Sequence, residues 1–595
     1  MFKNNLKLAI RNLIKQRSYA LINLFGLAIG LACTILIALW IQRELNVNQF
    51  HTHKDELFRV REHQTYGNDI YTYSSTPVPL ADVLKADFPE ITHVSRMDWG
   101  GRTMISRANG LGFYESGHYV DPDFLQMFSF PLLQGDAASA LTEPTNIIIS
   151  EELAAKYFAN ENPLGQILTL NNKDEYTVSA VLKTIPEAST INFDFLIPFE
   201  QFIAQNSEDI YWNNNMVQTY FRTVPNTDAA HISKKIANLV VDNGQSNVEL
   251  LAHPLKDWYL RANFKDKKIV GGNIERVRLF GIIAIFILLI AGINFVNLVT
   301  AKSVTRAKEV GVRKVMGATR GSLVGQFLFE SVILTCLAGG LSLAMLSFTL
   351  PYFNTIFKLE LSLLGAGMSF WATMAAIVLA TGLLAGIYPS AVMTKFRPTQ
   401  VLKNQLSTGS SGVRLRKILV TAQFVISILL IISTIIVYQQ VELIKNQDLG
   451  YTRENLLQIR LNSESYEEYD ILKNQLAQIP EVLAVSSTSQ SIHSWGSNTS
   501  GVSWEGKDPE SNILFQTIPT DYDFINTIGA TLDSGRDFSP SFADSTSFII
   551  NKTAAKAMGL EDPVGKTISL SDTEGQIVGL ATDTGGGSSF SMLRT

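Results

Sequence analysis

The chain has 595 residues, 46% hydrophobic and 17% charged, with a formal net charge of −5. That length allows several domains, and the balance fits a membrane protein that also carries soluble parts. Its two cysteines, Cys33 and Cys336, both fall in long apolar runs, which excludes disulfides and thiolate metal sites from the polar regions.

Residues 1–17 carry Lys3, Lys7, Arg11, Lys15 and Arg17 and no acid. Phe2, Leu6, Ile10, Leu13 and Ile14 recur between them at roughly helical spacing, the pattern of a helix lying in the membrane interface. Ser18–Gln42 follows, 25 residues without a charge. It is too long for the core of a signal peptide, and no small-x-small site follows Trp40, so 18–42 is predicted as an uncleaved first span. A helix needs about 20 apolar residues to cross a bilayer. Leu279–Ala301, Ser331–Phe357, Leu361–Thr394 and Ile418–Val441 also qualify, and place further spans at 279–301, 327–350, 370–393 and 418–441.

The polar segments alternate in charge. Residues 1–17, 302–320 and 394–417 together hold 17 basic side chains and one acid, Glu309. The rest of the chain is acidic, concentrated in 43–278 and 442–595. Positive loops stay in the cytoplasm. The N terminus and both basic loops are therefore expected inside, and the two acidic regions outside.

Those regions repeat each other at an offset of 400. Asp121-Pro-Asp-Phe124 matches Asp521-Tyr-Asp-Phe524, and Gly135 matches Gly535. Ala154-Ala-Lys156 matches Ala554-Ala-Lys556, and Asn162-Pro-Leu-Gly165 matches Asp562-Pro-Val-Gly565. Tyr176–Val181 corresponds to Gln576–Leu580 after one deletion. A β-branched run at Asn146–Ile149, a helix at Glu151–Phe158, a turn and short alternating strands predict a mixed α/β unit. A second subdomain is expected at about 190–270. Basic residues precede Ile418–Val441 as they precede Ser18–Gln42, so the spans repeat too. Nothing pairs with the second, third and fourth spans. The expectation is therefore an eight-span protein of which this chain is a C-terminally truncated part, short of about 200 residues.

Several motifs carry little. Gly565-Lys566-Thr567 looks like the end of a phosphate-binding loop, but that loop needs glycine at 560, where leucine stands. No Gly-x-Ser-x-Gly, His-Glu-x-x-His or Cys-x-x-Cys is present, so no catalytic residues, cofactor or metal ligands are assigned. His51-x-His53 is the only close histidine pair and reads as solvated surface. Glu330 reads as an interfacial carboxylate about two and a half turns from Arg320.

The informative segment is Arg306-Ala-Lys308-Glu309-Val-Gly311-Val-Arg313-Lys314-Val-Met-Gly317-Ala-Thr319. At helical spacing Val310, Val312, Val315 and Met316 are expected to form a short apolar face flanked by Lys308, Arg313 and Lys314, suited to a partner's groove. On charge alone, a loop that only fixes topology explains the segment better. The residue pattern decides otherwise. It resembles the Arg-Glu-(Ile/Val)-Gly-(Ile/Val)-Arg…Gly-Ala signature of permease subunits in the MacB/FtsX family of ABC systems. Ala9-Ile-Arg-Asn-Leu13, Tyr388-Pro-Ser-Ala391, Phe396-Arg-Pro-Thr399 and Arg416-Lys-Ile-Leu-Val420 resemble other stations of the large two-copy, eight-span form found in Bacteroidetes-type bacteria.

The resemblance implies a polytopic α-helical membrane protein with two mixed α/β extracytoplasmic domains, in the bacterial inner membrane. It implies a permease that is not itself an enzyme, driven by a separate ABC ATP-binding subunit acting as a homodimer. Arg306, Lys308, Glu309, Gly311, Arg313, Lys314 and Gly317 would dock that ATPase. The outer domains would move to export or extrude a peptide, lipoprotein or small amphiphile, with a periplasmic adaptor or substrate protein as further partner. Lipid surrounds the spans, and nucleic acid is not among the expected partners. The alternative is a regulatory scaffold of the cell-division type that transmits motion to a wall hydrolase.

Overall fold

The computed structural model describes residues 11, 17–107, 110–159, 161–245, 247–301, 310–393, 410–461, 466, 468–491, 497–509, 511–542, 544–570, 573–583 and 591–594. Five helices among them are long and apolar enough to cross a membrane. They are α1 (Arg17–Leu45), α2 (Asn273–Ala301), α3 (Arg320–Phe357), α4 (Gly367–Met393) and α5 (Ser410–Asn446). The apolar run at Leu361–Thr394 does not enter α4 whole. Its first residues make a loop and the short 3-10 turn Leu364–Ala366, and α4 starts at Gly367, whose φ is +77°.

Small residues set how closely these helices pack. In α1, a Cβ added at Gly30 would lie 2.6 Å from the Ala291 Cβ of α2. In α4, one added at Gly386 would lie 2.9 Å from Ser331 of α3, and one at Gly382 would lie 3.0 Å from the Val332 backbone. Gly26-x-x-x-Gly30 and Gly382-x-x-x-Gly386 thus form seams of the kind that lets backbones approach in lipid. The fifth helix differs. No residue of its apolar window is buried, and its main contact is with α2.

The first outer domain rests on one mixed sheet of 13 strands among the described residues. Five of its strands are β1 (Leu57–Tyr66), β2 (Asn146–Ser150), β3 (Asp174–Leu182), β4 (Asn215–Thr223) and β5 (Val248–Pro254). One lobe surrounds β2 and β3, which run parallel. Helix Glu151–Phe158 follows β2 directly, capped by Ser150, whose Oγ accepts from the Leu153 amide at 3.2 Å. It buries Leu153 and Phe158 on Ile147, Ile149, Leu168 and Val178. The other lobe surrounds β1, which lies between β4 and β5 and pairs antiparallel with both. Helices Leu80–Asp87 and Ala229–Ile236 cover it, burying Leu80, Leu84, Ile232 and Ile236 against Phe58, Val60, Phe221 and Leu250. The expected second subdomain at 190–270 is therefore incomplete, because its central strand comes from residues 57–66. Pairing at such sequence separation leaves no local pattern.

The second outer domain repeats the first lobe. Strand β6 (Phe548–Asn551) runs parallel to β7 (Thr573–Ala581), as β2 runs parallel to β3. Helix Lys552–Met558 follows, capped by Asn551, whose Oδ1 accepts from the Ala554 amide at 2.9 Å. Strand Thr567–Leu570 pairs antiparallel with β7, as Ile167–Leu170 does with β3. Three residues separate the first pair and two the second, which locates the deletion in this hairpin.

The matched glycines have a common cause. Gly135 and Gly535 have φ of +94° and +81°, beside irregular registers of β3 and β7. A Cβ at Gly135 would lie 2.7 Å from the Ser179 carbonyl, and one at Gly535 would lie 2.2 Å from that of Val578. Only glycine fits a left-handed backbone pressed against another strand.

Candidate coupling site

Residues 310–315 are helical and end in a turn at Met316 and Gly317. Gly317 has φ of +95°. Its amide donates to the Lys314 carbonyl at 3.1 Å, and the Ala318 amide donates to the Arg313 carbonyl at 3.0 Å. These paired bonds form a Schellman cap, which needs a left-handed residue at Gly317 and favours an apolar residue next. Ala318 meets that need, packing with Val299, Val310, Leu323 and Phe327. Thr319 then caps α3, its hydroxyl accepting from the Ser322 amide. Gly317-Ala318-Thr319 thus ends one helix and starts the next within three residues. Arg313 reaches across the turn to α3, its Nη1 donating to the Gln326 Oε1 at 2.6 Å.

The exposed surface differs from the one expected. Val310 is buried against α3 and does not belong to the outer face. At about 100° per residue, Val312, Val315 and Met316 share the opposite side of the helix. They are 49%, 65% and 82% exposed. Gly311 is buried and Arg313 and Lys314 are half-buried, while Gly317 is exposed at the cap. Arg306, Lys308 and Glu309 lie outside the described residues. Glu330 is half-buried in α3.

Helix α3 carries this turn to the far side of the bundle. Its 38 residues span about 57 Å, longer than a bilayer's hydrocarbon core of about 30 Å. In its last turn, the Asn354 side chain brackets the Leu361 backbone with bonds of 2.9 and 3.2 Å. The Glu360 amide donates to the Glu187 Oε2 of the first outer domain at 3.1 Å, and Arg43 of α1 lies 3.9 Å from the same oxygen. Gln42 of α1 donates to the Ala366 carbonyl at 2.7 Å. Asn48 donates its amide to the Ala188 carbonyl at 2.7 Å and its side chain to Thr190 at 2.9 Å. Tyr259 donates to Glu44 at 2.5 Å. The outer domain is thus fastened to the C-terminal end of α1 and to the α3–α4 loop. Glu187 and Asn48 gave no sequence signal, because their partners lie more than a hundred residues away.

Other sequence candidates resolve differently. Thr567 opens a strand, and the Gly565 amide donates to the Ile577 carbonyl at 2.7 Å. Gly565-Lys566-Thr567 is therefore a turn before a strand, whereas a phosphate-binding loop must open a helix. His51 is not on the surface. Its ring packs among Phe50, Phe128 and Phe130 with centroids 4.0–5.4 Å away, and burial lowers its pKa to about 4. His63 and His253 are buried as well. His53 alone of the pair is partly exposed, 3.1 Å from Glu56.

A family model described as the MacB-like periplasmic core domain matches residues 20–239 and again 419–594. A second, described as the FtsX-like permease C-terminal, matches residues 281–398. The chain belongs to the MacB/FtsX family of ABC transporter permeases. It is a membrane protein with two MacB-like periplasmic core domains, and it contains an internal repeat. Among its relatives, the macrolide export ATP-binding/permease protein MacB 1 of Aeromonas hydrophila is 24% identical over 316 residues, 51% of this chain and 44% of that protein. An uncharacterized ABC transporter permease, YknZ of Bacillus subtilis, is 28% identical over 194 residues, 32% of this chain and 45% of that protein. The chain spans less than half the length of these relatives. The periplasmic region of MacB from Actinobacillus actinomycetemcomitans aligns at 13% identity and a TM-score of 0.27, over 33% of this chain and 89% of that one.

Proposed function

We infer that this permease couples ATP hydrolysis by a separate ATP-binding subunit to motion of its outer domains, extruding a peptide, lipoprotein or small amphiphile. The N terminus and the basic loops 302–320 and 394–417 face the cytoplasm of an inner membrane, and the domains at 43–278 and 442–595 face the periplasm. The charge alternation supports that orientation. The ATPase homodimer docks on the segment holding Arg306, Lys308, Glu309, Gly311, Arg313, Lys314 and Gly317, with Val312, Val315 and Met316 as its apolar contact. One observation carries this reading. An exposed apolar stripe sits on a capped turn joined to one continuous helix, which carries Pro351 only in its last two turns, and the loop beyond that helix is bonded to the first outer domain. A push on the stripe moves α3 as a rod and pulls on Glu187. The relative named for macrolide export favours an amphiphilic cargo.

The test is Met316→Asp in the full protein, assayed for ATPase binding and for stimulated ATP hydrolysis. A buried interface anchor is worth at least about 2 kcal/mol, so binding should weaken roughly 30-fold while membrane insertion is unchanged. Gly311→Leu should uncouple hydrolysis from function. Unchanged binding in Met316→Asp would remove the docking surface. Capture of a wall hydrolase by the outer domains, with no cargo moved, would replace extrusion with mechanical signalling.

A further inference from the structure

Strand β1 alternates as a buried strand must, and its two faces differ in kind. Phe58 and Val60 enter the apolar core of the lobe. The opposite face carries Arg59, Arg61 and His63. Across the sheet Arg59 pairs with Tyr220 of β4 on one side and His253 of β5 on the other, which puts the three in one row. The Arg59 guanidinium lies 5.2 Å from the Trp258 ring centroid, and that of Arg61 lies 5.5 Å from the Phe264 centroid. The Phe264 ring also lies 5.3 Å from His253 and 5.6 Å from His63. Phe264 comes from the hairpin of strands Asn263–Lys265 and Lys268–Gly271, which leads directly into α2. Tyr259, next to Trp258, bonds to Glu44 at the end of α1. The cluster thus lies at the helix-facing end of the domain.

Several of its buried nitrogens lack a well-formed partner, although Arg59 also bonds to the Tyr220 hydroxyl. Arg61 is 8% exposed and His253 is 1% exposed. The Nε of Arg59, the Nε of Arg61 and both ring nitrogens of His253 make no hydrogen bond of normal geometry. Neighbouring carboxylates are engaged elsewhere: Glu249 with Lys267, Asp257 with Arg261, and Glu44 with Arg43 and Tyr259. Glu62 points to the other face, where Gln64 and Asn215 donate to it. Burial and the neighbouring Arg59 lower the Arg61 pKa to about 9, and burial with the two guanidiniums lowers that of His253 to about 3. Arg61 is thus a buried cation with a half-buried second guanidinium, Arg59, beside it and no counter-charge among the described residues, which is costly to a fold unless something neutralises it. Guanidinium forks match the oxygens of phosphate and carboxylate, and an imidazole adds a donor.

We propose that Arg59, Arg61 and His253 form an oxyanion-binding site at the base of the first outer domain, covered by Phe264, for a phosphate group. The phosphate arrives free or on a lipid headgroup. The site depends on no statement about the ATPase or cargo.

The experiment melts the full chain in detergent with inorganic phosphate or with chloride at matched ionic strength, and in nanodiscs of phosphatidylglycerol or phosphatidylcholine. Binding well above Kd should raise the melting temperature by roughly 5 °C. A shift with inorganic phosphate identifies a free-anion site. A shift confined to phosphatidylglycerol identifies a headgroup site. In either case Arg61→Met should lose the shift, and without phosphate it should melt no lower than wild type, since it removes an unpaired buried charge. Should Arg61→Met not fold, Arg61→Lys, which keeps the charge but loses the fork, should halve the shift or more. No shift from either source in the wild-type chain, or an undiminished shift in the variant, overturns the site.

Discussion

Replacing Gly30 by alanine tests how tightly α1 and α2 are joined. The added Cβ would sit 2.6 Å from the Ala291 Cβ, where carbon atoms rest at about 3.5–4.0 Å. The helices must part by roughly 1 Å, disturbing Leu27, Ala28, Leu31 and Phe295 of the same packed cluster. Such overpacking costs about 1–3 kcal/mol. Alanine also gains about 1 kcal/mol of helix propensity over glycine, which hides part of the loss. Gly26→Ala supplies the reference, since it makes the same propensity change one turn away. There the new Cβ would meet only the terminal amide of Asn294 at 3.4 Å. The difference between the two variants therefore isolates the packing term. Unfolding of the full chain by titrating SDS into mixed micelles, followed by tryptophan fluorescence, should show Gly30→Ala less stable than Gly26→Ala by about 2 kcal/mol, a factor of roughly 30 in the equilibrium constant. Equal stabilities would refute the reasoning, because they would mean that the backbones do not approach at Gly30.

Burial raises the Glu62 pKa to about 7 against the hydrogen bonds from Gln64 and Asn215, so its stabilising share is full below pH 4.5 and is lost as the pH rises through 7. Glu62→Gln should flatten the melting profile between those values and stabilise the domain by about 3 kcal/mol at pH 8; an unchanged profile would show that the carboxyl is not buried as described. The proposed orientation is tested by impermeant thiol labelling of whole cells after both native cysteines are replaced. Lys173→Cys and Lys566→Cys should react and Met316→Cys should not, and the reverse would invert the topology. Asp121 and Asp521 are unsuitable reporters, because Arg96 holds the first while Tyr469 and Lys473 hold the second. Gly535→Ala should disrupt the second outer domain, whereas Gly565→Ala, with similar φ but open space around it, should cost only about 1–2 kcal/mol in a thermal melt.

Much of the architecture is legible in the chain because its causes are local or periodic. An uncharged run of 20 or more residues belongs in lipid wherever it occurs, so the apolar helices follow from composition. The offset of 400 reports two copies of one unit, and the structure supplies its reasons. Ser150 and Asn551 cap matched helices, and Gly135 and Gly535 are pressed against matched strands. The Gly317-Ala318-Thr319 turn was readable in principle, since a glycine, an apolar residue and a capping threonine spell a helix end followed by a start. The paired Gly-x-x-x-Gly seams were equally readable and lie within runs whose apolar length masks them.

Tertiary structure decided the rest. Sequence periodicity placed Val310 with Val312, Val315 and Met316, but only contact with Leu323 and Phe327 shows which side of that helix faces inward. His51 reads as surface beside His53, yet three phenylalanines close over it, two of them almost eighty residues on. Strand β1 looks like an unremarkable mixture of charges, and gathers two guanidiniums with buried histidines only when β4 and β5 arrive on either side. Composition and periodicity describe what a residue does within a turn or a strand of its own position. Burial, pairing and charge balance depend on partners that the fold brings in from far along the chain, 142 residues where Asn48 meets Thr190 and 324 where Gln42 meets Ala366.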